Sequence, residues 1–82
     1  MMTITILLFA RAKELVGTNR IALEVPEGAI AADIRRELGR IYPALAGLAQ
    51  QSALAMNDDI VADECRLFPH AELALLPPVS GG

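Results

Sequence analysis

The chain ends in ELALLPPVSGG, residues 72–82, a stretch that combines an apolar run, two prolines and a bare terminus. The apolar run predicts a buried strand over residues 72–76, and the prolines end it because proline has no amide hydrogen for a sheet ladder. Residues 77–82 are small and uncharged, and when extended they reach roughly 20 Å. Gly81 and Gly82 add no side-chain obstruction and leave full backbone freedom. We predict that the Gly82 carboxylate, presented by Gly81, is a reactive group.

A frayed terminus is the alternative interpretation, since most chain ends are poorly ordered. Frayed tails are usually polar, whereas this one leaves an apolar strand directly through two prolines. A final strand that projects a Gly-Gly carboxylate resembles ubiquitin and its relatives. We therefore divide the chain into a folded domain at residues 1–76 and an extended C-terminal tail at residues 77–82.

Length and composition limit the class of protein. Eighty-two residues, 54% of them hydrophobic, support one domain with one core. No apolar run approaches the ~20 residues of a membrane span, and Met1-Met2 lacks the basic flank of a signal peptide. We therefore expect a cytoplasmic protein that binds no membrane. A net charge of −3 argues against a nucleic-acid partner, which selects for a basic surface.

The single cysteine and the single histidine offer little chemistry of their own. One cysteine forms neither a disulfide framework nor a zinc-ligand spacing. Cys65 follows two acidic residues, a neighbourhood that does not activate a thiol. His70 has no serine, cysteine or second histidine in an evident triad spacing with it. We predict no metal site and no catalysis by the chain alone.

Hydrophobic periodicity predicts the remaining elements. An amphipathic helix carries the apolar stripe Ile30, Ile34, Leu38 and Ile41, and Pro43 ends it. Gly39 is predicted to pack on the sheet, and the solvated face is predicted to hold Asp33, Arg35, Arg36, Glu37 and Arg40. The predicted ranges are strands at 3–9, 20–25, 52–56, 60–61 and 72–76, helices at 10–16 and 30–42, one or two helical turns at 44–50, a turn at 57–59 and a loop at 63–71.

This order of elements predicts an α+β fold of the ubiquitin-like β-grasp type. It has a mixed sheet, one long helix across one face and a protruding C-terminal Gly-Gly tail. The first and last strands are then central neighbours, which brings four apolar residues together at the root of the tail, namely Leu7, Phe9, Ala74 and Leu76. An exposed apolar patch of this kind marks a docking surface. The alternative is that these are ordinary scattered surface residues.

Residues 9–17, FARAKELVG, and residues 72–82 resemble the opening and closing signatures of the small subunit of molybdopterin synthase, a ubiquitin-like sulfur carrier family. The resemblance covers the whole chain. One departure is the turn before the last strand, where the family often has an acidic-Gly-acidic turn and this chain has Pro69-His70-Ala71. Histidine tolerates positive φ better than most residues, so the departure concerns the turn type and not the fold.

The resemblance implies a sulfur-carrier cycle. A ubiquitin-activating-like adenylyltransferase uses ATP to adenylate Gly82, and a sulfur donor protein supplies the sulfur of a C-terminal thiocarboxylate. The large subunit, in a heterotetramer, receives the tail, and the pyranopterin precursor receives the sulfur. The resemblance implies no permanently bound cofactor, and it places Phe9, Ile60 and Leu76 on the partner-binding face. The other predicted partner-binding residues are Leu7, Ala74, Pro77, Pro78, Val79 and Ser80.

Three other functions remain open at this point. The same tail serves a ubiquitin-like modifier that is conjugated to lysines. It also serves a sulfur carrier for another pathway, such as thiamine synthesis or tRNA thiolation, although those relatives usually lack the Pro-Pro-Val-Ser lead. The last alternative is a plain interaction domain with an idle tail.

Overall fold

The computed structural model describes residues 1–77, and within that range the chain forms a mixed sheet of five strands. The strands are β1 (Met2–Leu8), β2 (Arg20–Val25), β3 (Ala53–Met56), β4 (Asp59–Val61) and β5 (Glu72–Leu76). Their spatial order is β2-β1-β5-β3-β4, with β1 and β5 parallel and the other neighbours antiparallel. The first and last strands are therefore central neighbours, as predicted.

Helices connect the strands. They are α1 (Ala10–Val16), α2 (Ala31–Ile41), a 3-10 helix (Pro43–Leu45) and α3 (Ala46–Gln51). The bounds of α1 and β2 are those predicted, and Gly17 ends α1 in the left-handed conformation with φ 91°. β1 ends one residue earlier than predicted because Phe9, with extended backbone angles, is the N-cap of α1.

The core lies between the sheet and α2. Alternation along each strand sends every second side chain toward the helix. The core residues contributed by β1, β2, β5 and α2 include Ile4, Ile6, Leu8, Ile21, Leu23, Val25, Leu73, Leu75, Ala31, Ile34 and Leu38. The prediction for Ile41 is wrong, because this last residue of α2 is exposed. Leu45 of the following 3-10 helix is fully buried in its place at that end of the core.

The loop between β4 and β5 supplies hydrogen-bond acceptors for the first turn of α2. The amide groups of Ala31 and Ala32 donate to the carbonyl oxygens of Cys65 (2.9 Å) and Asp63 (3.0 Å). The Asp33 carboxylate accepts the Ile30 N–H at 2.9 Å. That backbone hydrogen bond, with help from Arg36, holds the pKa of Asp33 below its ordinary value. These bonds satisfy amide donors that a helix leaves free in its first turn.

Arg35 does not lie on a solvated face, so that prediction is wrong. Only 14% of its side chain is exposed. Its Nη1 donates to the carbonyl oxygens of Ala49 (2.6 Å) and Ser52, and its Nε donates to Asp63 Oδ1 at 3.0 Å. The last carbonyl groups of a helix have no partner within the helix. Arg35 therefore completes the C-terminal end of α3 and joins it to α2.

Gly39 also has a different role from the one predicted. A Cβ at this position would lie 3.2 Å from the Cβ of Ala46, so the glycine allows α3 to approach α2 closely rather than allowing α2 to approach the sheet. The segment from Pro43 to Gln51 folds back along α2 and gives that helix a second packed side. Periodicity alone shows one apolar stripe and misses this second contact.

The turn before β5 confirms the expectation for His70, whose φ is 66°. Its N–H donates to the Thr3 carbonyl at 3.2 Å, so the left-handed residue guides the chain into the sheet beside β1. Across residues 1–77, none of the helices has the length and apolar character that crossing a membrane requires.

Candidate partner-binding face and tail root

A row of apolar side chains crosses four strands on the face of the sheet opposite α2, which we call the open face. The register pairs Leu7 with Ala74, Ala74 with Ala55, and Ala55 with Ile60. Residues directly opposite each other on neighbouring strands point to the same face. Their chain neighbours Leu8, Leu75 and Leu54 are in the core. The structure therefore places the predicted residues Leu7, Ala74 and Ile60 on one surface.

The centre of this row is made of small residues. Ala55 is only 8% exposed, yet it does not belong to the core cluster, so its burial arises on the open face. The alanines form a low floor between larger neighbours, which leaves a depression of about 410 Å³ that we call the open-face groove. The residues that line it include Leu7, Phe9, Ala55, Ala74 and Leu76 and, toward one end, Asn57, Asp58 and Glu72.

The root of the tail lies at the other end of the groove. Because β1 and β5 are parallel and Leu8 pairs with Leu75, both strands end at the same edge of the sheet. Phe9, which is 44% exposed, follows β1 at this edge. Leu76 is the last residue of β5, and the exposed Pro77 comes directly after it. Phe9 and Leu76 therefore flank the end of β5, where the described part of the chain ends. The predicted tail residues Pro78, Val79, Ser80, Gly81 and Gly82 lie outside the described residues.

The polar end of the groove was not predicted. Asn57 and Asp58 form a two-residue turn between β3 and β4 with φ values of 54° and 70°, both positive as in a type I′ hairpin turn. The Glu72 Oε2 atom lies 3.6 Å from Arg20 Nη2, and both side chains are more than half exposed. The sequence holds a signal for the β3–β4 hairpin alone, because a two-residue turn at 57–58 fixes the pairing of Ala55 with Ile60.

Cys65 and His70 lie away from the groove. Cys65 is half-buried in the loop that bonds to the first turn of α2, and its Sγ donates to the Arg66 carbonyl at 3.6 Å. His70 is exposed beside Thr3, at the start of β1. Within residues 1–77, no three His, Cys, Asp or Glu side chains cluster as metal ligands would.

A second depression, of about 450 Å³, lies at the opposite end of β1 from the tail root, beside Met1 and Val25. Two of the four carboxylates that line it, Glu37 and Asp33, already have partners. Glu37 accepts two hydrogen bonds from Arg40, at 2.7 and 2.9 Å, and these lower the pKa of the Glu37 carboxyl. Asp33 is bonded to the start of α2 as described above. The charges of Asp33 and Glu37 therefore stabilise α2.

Residues 6–82 match the sequence model of the ThiS family. The chain belongs to the ThiS family. This membership accords with the β-grasp order of the strands and with the position of the tail root. It also confirms the resemblance to the small subunit of molybdopterin synthase, because relatives with that function in their names match over nearly the whole chain.

Two of these relatives are named molybdopterin synthase sulfur carrier subunit. The one from Arabidopsis thaliana is 37% identical over 79 residues, which cover 96% of this ThiS-family chain and 82% of the plant protein. The one from Dictyostelium discoideum is 34% identical over 80 residues, covering 94% of this chain and 93% of that protein.

Solved structures share the fold. SAMP1 from Haloferax volcanii superposes with a TM-score of 0.83 at 27% identity, covering 98% of this chain and 99% of that one. The fold is also found in a complex of subunits 1 and 2 of molybdopterin-converting factor from Helicobacter pylori, with a TM-score of 0.69 at 21% identity, covering 99% of this chain and 100% of that one. The predicted ubiquitin-like β-grasp fold is confirmed.

Proposed function

We propose that this protein is the sulfur carrier of molybdenum cofactor biosynthesis and forms the small subunit of molybdopterin synthase. The observation that carries the proposal is the similarity to sulfur carrier subunits across 94–96% of the chain. The match to the ThiS family extends to Gly82 and so includes the tail. The open-face groove beside the tail root supports the proposal, because a carrier must dock before its terminus can react.

The proposed chemistry takes place at the Gly82 carboxylate. A carboxylate is a poor electrophile because its negative charge repels a nucleophile. A ubiquitin-activating-like adenylyltransferase attaches AMP from ATP to one carboxylate oxygen and releases pyrophosphate, and AMP is then a good leaving group. Sulfur from a sulfur donor protein displaces AMP and gives a thiocarboxylate. ATP is thus used by the activating enzyme, and this protein holds no permanent cofactor in the cycle.

The thiocarboxylate sulfur is a nucleophile at neutral pH and forms a bond to the pyranopterin precursor in the large subunit. Water then hydrolyses the resulting thioester, which leaves the sulfur on the precursor and restores the Gly82 carboxylate. Two such transfers complete the dithiolene of molybdopterin. Residues 77–82 reach roughly 20 Å when extended, which is long enough for the tail to enter the site of a partner that sits on the open face. We propose that the partners meet in the cytoplasm and that large and small subunits form a heterotetramer.

Docking of the large subunit is proposed to use Phe9, Leu76 and Ile60. Phe9 and Leu76 flank the tail root, and Ile60 ends the apolar row on β4. Buried aromatic side chains near the centre of an interface commonly carry much of the binding energy. The Helicobacter pylori complex supports a large-subunit partner, because its subunits 1 and 2 associate and it shares the fold of this chain.

The test is the mass of the C-terminal peptide after incubation with the adenylyltransferase, ATP and a sulfur donor. We expect a gain equal to the difference between one sulfur and one oxygen atom. The control omits ATP and should leave the mass unchanged. A second control adds one alanine after Gly82, which should also prevent the gain. An unchanged wild-type mass, under conditions in which the activating enzyme is shown to release pyrophosphate from ATP, would contradict the proposal.

Protein modification is the second candidate function. SAMP1 is named a small archaeal modifier protein, and the similarity to it at 27% identity favours this alternative. A modifier and a sulfur carrier share the adenylation step and differ in the acceptor, which is a lysine amine for the modifier. Recovery of lysine peptides joined to Gly82 from cells would favour modification. Recovery of the thiocarboxylate without such conjugates would favour sulfur transfer alone.

A further inference from the structure

The two ends of the open-face groove differ in charge. At the tail root the lining is apolar, with Phe9 and Leu76. At the other end are the carboxylates of Asp58 and Glu72, because the antiparallel pairing of β3 with β5 brings the β3–β4 turn beside the start of β5. Glu72 and Leu76 are four residues apart in an extended strand, a separation of about 13 Å. The groove therefore has an apolar end at the tail root and an acidic end beside the β3–β4 turn.

Asp58 contributes the uncompensated charge at that end. Glu72 is partly balanced by Arg20 at 3.6 Å. Within residues 1–77, no cation lies within ion-pair distance of Asp58. Its φ of 70° is a conformation in which the second position of a type I′ turn favours glycine. Aspartate tolerates this conformation, but the turn does not need its carboxylate.

We propose that the large subunit places a lysine or arginine side chain against Asp58 while its apolar side chains cover Ala55 and Ala74. This inference rests on the proposed function and specifies the chemistry of its partner. Apolar contacts on a floor of alanines are non-directional, so they do not by themselves fix how the partner is rotated on the sheet. A charge pair at the end of the groove away from the tail root defines that rotation and directs the tail into the partner's site.

The charge pair sits at the rim of the interface, and this position determines its effect. Charges at a rim mainly change the association rate and the salt dependence of binding. Exposed pairs contribute little, and salt screens them over a Debye length of about 10 Å at 0.1 M. Loss of the Asp58 carboxylate should therefore weaken binding at low salt and have little effect at high salt.

The experiment titrates the purified large subunit with the full chain at about 0.05 M and about 0.5 M salt. Asp58→Asn removes the charge and keeps a residue that tolerates the turn. The matched control is Glu64→Gln, which makes the same change of net charge at an exposed position in the loop bonded to α2, on the other side of the sheet. Asp58→Lys reverses the charge and gives a larger expected effect.

We expect Asp58→Asn to raise Kd about two- to fivefold at low salt, Asp58→Lys to raise it about tenfold, and both effects to shrink toward wild type at high salt. Glu64→Gln should match wild type at both. If Asp58→Asn and Glu64→Gln behave alike while wild type binds, this inference is overturned and the proposed function stands. If wild type does not bind the large subunit at either salt concentration, the proposed function fails, and this inference fails with it.

Discussion

Leu7 and Leu8 are neighbours in β1, yet they lie on opposite faces of the sheet. Leu8 is almost completely buried in the core beneath α2, and Leu75 of β5 pairs with it there. Leu7 is half-buried on the open face, where it pairs with Ala74. The same residue type therefore contributes to folding at one position and to a binding surface at the next. Strand parity, and not hydrophobicity, separates the two roles.

We expect the largest effect on stability from truncation of a side chain on the core face. Leu38 is fully buried under the sheet, so Leu38→Ala should lower the free energy of unfolding by about 2–5 kcal/mol. Arg36→Ala is the control in the same helix, because 73% of that side chain is exposed, and it should cost less than about 0.5 kcal/mol. Denaturant titrations that gave both variants the same midpoint would show that the assignment of the helix face is wrong.

Arg35 tests the second packed side of α2. Arg35→Ala should cost about 1–3 kcal/mol, because the Ala49 and Ser52 carbonyls lose their charged donor in a partly buried place. Arg36→Ala is again the control, since it differs by one position and faces solvent. The same denaturant titration measures both. A loss for Arg35→Ala no larger than that for Arg36→Ala would mean that the three hydrogen bonds of Arg35 contribute nothing to stability.

We expect truncation of a side chain on the open face to change the affinity for the large subunit instead of the stability. Phe9→Ala should raise Kd for the large subunit about tenfold, or about 1.4 kcal/mol, and leave stability within about 0.5 kcal/mol of wild type. Phe68→Ala is the matched control, because Phe68 is similarly exposed (51% against 44%) but lies in the loop before β5 and outside the groove lining. Leu76→Glu should weaken binding as Phe9→Ala does. Calorimetric affinities unchanged in both Phe9→Ala and Leu76→Glu would remove the open face from the interface.

Cys65 lies neither in the core beneath α2 nor on the open face, so its replacement should have the smallest effect. Its thiol lies in the loop that bonds to α2, and the proposed sulfur site is Gly82. Cys65→Ser should transfer sulfur to the precursor at a rate within about twofold of wild type, since a change below about 0.4 kcal/mol is expected at such a site. If a folded Cys65→Ser protein lost transfer, the thiol would have to take part in the chemistry.

The strands and their faces could be predicted because period-2 alternation is local and strong in β2 and β5. The pairing of β1 with β5 followed from the fold class, and with it the positions of Leu7 and Ala74. Arg35 could not be predicted, because its partners are backbone carbonyls 14 and 17 residues away, and periodicity records only which residues are apolar. Asp58 was predicted as part of a turn. Its place in the groove depends on the register of β3 with β5, which the sequence pattern does not fix.

In the proposed cycle the folded domain docks while the terminus reacts, and deletion of Gly82 separates the two roles. Pyrophosphate exchange with the activating enzyme is measured beside a binding titration with the large subunit. Each extended residue spans roughly 3.3–3.6 Å, and a misplacement of about 1 Å can cost about 100-fold in rate. We predict that the deletion abolishes exchange and weakens binding far less than Phe9→Ala does. Exchange at the wild-type rate without Gly82 would show that adenylation does not require the Gly82 carboxylate, and would contradict the proposal that this carboxylate is the reactive group.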